Sequence, residues 1–183
     1  LDSRGVSPGA NDNASGVAVV LELARVLRHT RPAYTLLFVG CGAEERLGRR
    51  GPHHLGSRAL AADAALRARL AGAILLDMVG YGTILHIDNQ GWAADTWRDR
   101  AARIAADLQL PVATGRSKPV SDHEAFERLG IPAAYLHWGR DPAYHTRADR
   151  PARIQPLRLR QTAEVMVRLL LQAKPETQPP ADL

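Results

Sequence analysis

The chain has 183 residues, of which 45% are hydrophobic and 23% are charged. This length and composition are typical of one globular domain with a buried core, and no apolar run is long enough to cross a membrane. The net charge of +5 and the pI near 10 would suit a nucleic-acid partner. The basic residues are scattered along the chain, however, so we predict no such partner. The single cysteine excludes an intrachain disulfide.

The first half of the chain reads as loop, helix, strand and broken helix. A loop rich in Ser, Pro, Gly and Asn ends at Ser15, which we expect to be the N-cap of a helix over residues 16–28. An apolar run predicts a strand over Tyr34–Val39. Residues 57–70 follow as a helix, which we expect to break at Asp63.

The second half continues the alternation of helices and strands. Ser121 or Asp122 is placed to cap a short helix that ends before Gly130. The other predicted elements are strands at Ala73–Leu76, Thr83–Ile87 and Ala133–Leu136, and helices at Ala93–Leu108 and from Pro156 to Lys174.

Most of these strands are short and apolar on both faces. Such strands, alternating with helices, favour an α/β fold in three layers, with a mixed, mostly parallel sheet covered by helices on both faces. We expect residues 1–174 to form one domain. Residues 175–183 contain three prolines and are expected to form a flexible tail.

Side chains that could bind a metal follow several predicted strands. Glu44 and Glu45 come just after the strand predicted at Tyr34–Val39, and Asp77 follows the strand predicted at Ala73–Leu76. Asp12 lies on the first loop, and His145 lies on the long loop after the last strand. Because the carboxyl ends of parallel strands share one edge of a sheet, these residues should converge there. Crowded carboxylates repel each other without a cation, and acids with a His are typical of hydrolytic zinc sites.

Simpler interpretations of single residues also stand. An isolated Glu-Glu pair is most often an exposed turn. His53 and His54 lie in a polar loop, where we expect both to be exposed.

Five short motifs occur in order along the chain: Gly9-Ala10-Asn11-Asp12-Asn13-Ala14-Ser15-Gly16, Gly42-Ala43-Glu44-Glu45, Leu76-Asp77-Met78-Val79-Gly80, Ser121-Asp122-His123 and Tyr144-His145-Thr146. Together they resemble the di-zinc aminopeptidases of the M28 type, and the resemblance covers essentially the whole chain.

The resemblance implies a role for each matched residue. Asp12 would bridge two zinc ions, with Glu45 and His145 on one ion and Asp77 on the other. Glu44 would be the general base that takes a proton from the attacking water. Tyr144 would help to stabilise the tetrahedral oxyanion. The resemblance also implies a cis peptide bond between Asp12 and Asn13.

Three further acids are expected to support the ligands rather than bind metal. Asp2 matches the acid that orients the first zinc-binding His of the family, while Asp122 and Asp149 are candidates for hydrogen bonds to ligands. That first His would fall immediately before Leu1, and the family has further strands upstream. We therefore expect two zinc ions in the intact protein and one in this chain.

The resemblance leaves alternatives for the function. The implied substrate is a peptide with a free N-terminus. A single-zinc glutaminyl cyclase is the second candidate, because the connection from Arg46 to His54 is longer than aminopeptidases usually have. Such cyclases usually carry Trp at the position of Tyr144. A peptidase-like domain that binds partners without catalysis is the third candidate. We expect an exported protein, secreted or periplasmic, and the oligomeric state stays open.

Overall fold

The computed structural model describes residues 3–45 and 51–173. Within these residues, four strands form one sheet in the order β1-β4-β2-β3. The strands are β1 (Ala73–Leu76), β2 (Leu85–Asn89), β3 (Val112–Arg116) and β4 (Ala133–His137). Strand β1 pairs with β4 in parallel, and β2 pairs with β3 in parallel, while β2 and β4 are antiparallel. The sheet is therefore mixed, as predicted.

Six α-helices lie within the described residues. They are α1 (Gly16–Leu27), α2 (Leu55–Ala62), α3 (Ala64–Arg67), α4 (Thr96–Asp107), α5 (His123–Glu127) and α6 (Pro156–Gln172). The predicted break at Asp63 is confirmed, because its side chain accepts a hydrogen bond from Leu66 N at 3.0 Å and begins α3. Residues Ala10–Ser15 form a tight turn that is closed by a hydrogen bond from Ala14 N to Gly9 O at 3.0 Å and is not helical at Asp12 and Asn13. A 3-10 turn covers Pro151–Arg153. None of the described helices is long and apolar enough to span a membrane.

The two faces of the sheet pack against different helices. Alternate residues of β1 point to opposite faces, so Ile74 and Leu76 join one core cluster while Ala73 and Leu75 pack against another. The first cluster contains residues of α1, α4 and α6, and the second contains residues of α2 and α5. This arrangement confirms three layers with helices on both faces.

Two predictions about strands were wrong. Residues Tyr34–Val39 form no strand, since none of the described ladders includes them. Tyr34 and Leu36 pack against the first core cluster, but Leu37 is 59% exposed. Strand β3 was not predicted at all. It lies at the edge of the described sheet, where β2 is its only neighbour. Because the strand is half-exposed, its residues show little alternation of apolar and polar side chains.

Other boundaries differ by a few residues. Strand β2 begins two residues later than predicted, and α2 begins two residues earlier. Helix α6 ends at Gln172 in the described chain. The tail at 175–183 and the supporting residue Asp2 lie outside the described residues, so these predictions are not tested.

Candidate metal centre

The loop that carries Asp12 is held by side chains of its own motif. Asn13 Oδ1 accepts from Gly16 N at 3.0 Å and from Met78 N at 3.2 Å, while its Nδ2 donates to Leu76 O at 2.8 Å. Ser15 Oγ donates to Asn11 O at 2.6 Å and accepts from Val79 N at 3.0 Å. These bonds join the Asp12 loop to the segment that follows β1.

Ser15 is therefore not the side-chain cap of α1. Its side chain makes no capping bond to the helix, and Asn13 accepts the bond from the first helical N–H instead. Gly16 permits this close approach, because a Cβ atom at this position would lie 2.1 Å from Leu76 O. The peptide bond between Asp12 and Asn13 is cis, as predicted.

Asp149 supports the same loop from the opposite side. Its carboxylate is 1% exposed and accepts from Asn11 N at 2.7 Å and from Asp12 N at 3.1 Å. Asn11 also donates to Asp141 Oδ2 at 3.0 Å and accepts from Gly80 N at 2.8 Å. Asp149 thus acts on the backbone of Asp12. The sequence pattern indicated its importance but not this contact.

The backbone of Gly42, Ala43 and Glu44 is hydrogen-bonded to the residues at the start of α2. His54 N donates to Glu44 O at 2.9 Å, and Gly56 N donates to Gly42 O at 3.0 Å. Ala43, directly before the two glutamates, has a φ of +53°. Positive φ values at residues other than Gly are costly and concentrate at functional sites. Positive φ values also occur at His54, Met78 and His145, which contact or adjoin Glu44, Asp77 and Asp12 respectively, and at Gln109, which lies after α4 away from these residues.

His145 brings two of the predicted ligands together. Its Nε2 lies 3.1 Å from Asp12 Oδ2 and 2.6 Å from Glu45 Oε1. One ligand atom from each of the three residues lies within 4.8 Å of the others. Tyr144 stacks on the His145 ring at 3.6 Å between centroids and is 49% exposed. The three side chains come from three separate segments of the chain, as predicted.

Asp77 lines the same cleft as Asp12, Glu44 and Glu45 but lies outside the three-residue group. Ser121 Oγ donates to its Oδ2 at 2.8 Å. Its Oδ1 is buried and has no hydrogen-bond partner among the described residues. An unpaired buried carboxylate oxygen is costly, so this atom is suited to a cation or a donor that enters the cleft.

The crowded carboxylates make the cleft favourable for a cation. Burial, followed by repulsion from Asp77 and Glu45, raises the pKa of Asp12 to about 8. Burial and the charge of Glu44 raise the pKa of Asp77 to about 7. Burial also raises the pKa of Glu45, although the neighbouring His145 opposes this shift. Divalent cations would relieve this repulsion.

The donor set fits zinc. Carboxylate oxygens and one imidazole are ordinary zinc ligands, and three protein ligands leave a position open for water or substrate, as in catalytic zinc sites. A second group of possible ligands consists of His86, Asp88 and His137. It fits a metal less well, because the ring nitrogen of His137 that faces Asp88 is the one that carries the proton. Gly139 N donates to His137 Nδ1 at 3.2 Å, so the proton of the neutral ring lies on Nε2, which then cannot bind an ion.

The remaining sequence predictions have mixed outcomes. Asp122 lines the cleft and accepts from Ser57 Oγ at 2.5 Å, but neither it nor Ser121 caps α5 through its side chain. The expectation that His54 is exposed was wrong, since it is 2% exposed and lies beside Glu44. The polar composition of its loop gave no sign of this burial.

Comparison with known proteins assigns the family. The model of peptidase family M28 matches residues 1–170. The chain belongs to peptidase family M28. Aminopeptidase YwaD of Bacillus subtilis (strain 168) is 34% identical over an alignment of 195 positions. The alignment covers 97% of this chain and 41% of the relative.

Two solved structures of this M28 protein's relatives share its fold. An aminopeptidase from Aneurinibacillus sp. strain AM-1 matches with a TM-score of 0.85 and 34% identity, covering 99% of this chain and 44% of the other. BSAP, a zinc aminopeptidase from Bacillus subtilis, matches with a TM-score of 0.83 and 29% identity, covering 97% of this chain and 45% of the other. The M28 chain therefore spans less than half the length of these relatives.

Proposed function

We propose that this M28 protein is a zinc aminopeptidase that hydrolyses the N-terminal peptide bond of peptides. The observation that carries the proposal is the convergence of Asp12, Glu45 and His145, whose ligand atoms lie within 4.8 Å of one another. The same cleft contains Glu44 and Asp77, whose Oδ1 has no hydrogen-bond partner in the part of the chain that the structure describes. Membership of M28 and the names of the relatives agree with it.

The proposed metal ligands divide between two positions. Asp12, Glu45 and His145 would hold one zinc ion, and Asp12 and Asp77 would contribute to a second in the full-length protein. Bound zinc would polarise the peptide carbonyl and make water acidic enough to attack at neutral pH. The hydrogen bonds accepted by Asp149 and Asn13 hold the Asp12 loop in place.

In the proposed mechanism one residue, Glu44, carries the proton from the attacking water to the leaving amine. Glu44 would accept a proton from the attacking water and pass it to the leaving amine, since a carboxylate can act as base and then as acid. Tyr144, half-exposed beside His145, would donate a hydrogen bond to the substrate oxygen as negative charge develops there. The peptide would be recognised through its free N-terminus.

The test is Glu44→Gln in the full-length, zinc-loaded protein, with an aminoacyl anilide as substrate. Gln keeps the size of the side chain but cannot carry the proton. We expect kcat to fall by roughly 10²–10⁴-fold while zinc content is unchanged. Glu22→Gln, on the exposed face of α1, is the matched control and should retain full activity.

Two other substrates separate the alternatives. An N-acetylated anilide should resist the wild-type protein, because its free amine is blocked. Conversion of a peptide with N-terminal Gln, without anilide hydrolysis, would instead establish a glutaminyl cyclase. If the protein turns over neither the anilide nor the N-terminal Gln peptide, the result would favour a peptidase-like domain that binds partners without catalysis. Near-normal anilide hydrolysis by Glu44→Gln would contradict the mechanism.

A further inference from the structure

A buried histidine lies directly behind Glu44. His54 immediately precedes α2, with φ at +55°, and its side chain is buried. Its Nε2 lies 3.2 Å from Glu44 Oε1, and its Nδ1 lies 2.9 Å from Glu124 Oε2. The backbone N–H of His54 also donates to Glu44 O at 2.9 Å. His54 therefore contacts Glu44 through both its backbone and its ring.

The two carboxylates define the hydrogen bonds of the ring. A neutral imidazole has one N–H donor, whereas the imidazolium has two. Only the charged ring can donate to Glu44 and Glu124 together. Burial alone would lower the pKa of His54, but the bonds to Glu44 and Glu124 and the charge of Asp122 outweigh it and raise the pKa.

Glu124 provides a fixed anchor for this ring. It lies on α5 and is 1% exposed. Arg128 Nε donates to its Oε1 at 2.5 Å, and Arg58 Nη2 lies 3.3 Å from the same atom. Because two guanidinium groups hold the Glu124 carboxylate, its side chain has little freedom to move. Its hydrogen bond with Nδ1 therefore fixes the orientation of the His54 ring.

We propose that His54 is a positioning residue that holds the Glu44 carboxylate in its reactive orientation through a Glu124–His54–Glu44 chain of hydrogen bonds. The proposal rests on the proposed role of Glu44 as general base. His54 itself does not touch the substrate. It acts by limiting the directions in which Glu44 can point.

Two amide substitutions distinguish the two ends of the ring. A Gln amide reaches about as far as Nε2 and can donate to Glu44, whereas an Asn amide reaches about as far as Nδ1 and can donate only to Glu124. Asn also tolerates the positive φ of this position well, so His54→Asn is expected to fold. A loss of activity in that variant therefore reports the bond to Glu44.

The experiment measures kcat and KM for an aminoacyl anilide with the full-length, zinc-loaded protein. We expect His54→Asn to lower kcat by roughly 10- to 100-fold with little change in KM, since small displacements of catalytic groups are costly. His54→Gln should recover most of that loss. His29→Asn, which changes an exposed His after α1, is the control and should match the wild type.

A second measurement does not depend on activity. In ¹⁵N-histidine-labelled protein at neutral pH, the His54 signal is assigned by its absence in His54→Asn. Both ring nitrogens should be protonated and hydrogen-bonded. A neutral His54 ring would overturn the proposed chain of bonds.

The outcomes separate the two proposals. An active wild type with a fully active His54→Asn would overturn the positioning role alone. Equal losses in His54→Asn and His54→Gln would also overturn it, because the bond to Glu44 would then not be the cause. A zinc-loaded wild type that hydrolyses no anilide would overturn the proposed function, and with it the role of His54.

Discussion

Asp149 offers a direct test of how the Asp12 loop is held. Its buried carboxylate accepts two backbone hydrogen bonds, from Asn11 N at 2.7 Å and Asp12 N at 3.1 Å. In Asp149→Asn, the amide oxygen can accept only one of these bonds, and the NH₂ group faces the other donor. A hydrogen bond to a charged group contributes about 1.5–3 kcal/mol, and a buried donor left unpaired costs about 1–3 kcal/mol. We expect a loss of about 2–4 kcal/mol in the free energy of unfolding.

The assay is urea unfolding of the zinc-loaded protein. Zinc must be present because the charge of Asp149 also raises the pKa of Asp12, so its removal from the metal-free protein would relieve repulsion and hide part of the loss. Asp107→Asn, on the exposed surface of α4, is the matched control. If Asp149→Asn shifts the unfolding midpoint no more than Asp107→Asn does, the argument that Asp149 holds the loop is refuted.

The remaining predictions concern pH in the metal-free protein. The folded pKa values of Asp12 and Asp77, about 8 and about 7, both lie above the ordinary 3.8. The folded state therefore binds more protons than the unfolded state between these values, and the free energy of unfolding should fall as pH rises from about 4 to about 8. Thermal unfolding at a series of pH values measures this slope. Asp77→Asn removes one of the two groups and should make the slope shallower; an unchanged slope would count against the repulsion described for the cleft.

Much of the site could be predicted from the sequence because the candidate ligands lie next to recognisable elements. Glu45 and Asp77 come directly after apolar runs, and the loop of Asp12 precedes a helix with a clear apolar stripe. The convergence of Asp77 and His145 then follows from the topology of the sheet, because these residues come after β1 and β4, which are parallel. The position of Glu45 does not follow in this way, since Tyr34–Val39 form no strand. The metal-binding roles of these residues, the domain boundary at residue 174 and export of the protein stay predictions.

Other features depended on contacts that no local pattern contains. Residues Tyr34–Val39 have strand composition, but a strand also needs a hydrogen-bonded neighbour, and the described ladders provide none. His54 lies in a polar loop but becomes buried because Glu44 and Glu124 meet there from distant segments. Asn13 and Ser15 read as helix caps or loop residues, whereas their bonds to the segment after β1 arise only in the folded chain.

The central claim is that Asp12, Glu45 and His145 hold a zinc ion. Anomalous scattering at the zinc absorption edge, from crystals of the zinc-loaded protein, tests it most directly. We predict a peak in contact with all three side chains, at ordinary zinc distances of about 2.0–2.2 Å. A peak only at His86, Asp88 and His137, or no peak in the cleft, would contradict the account.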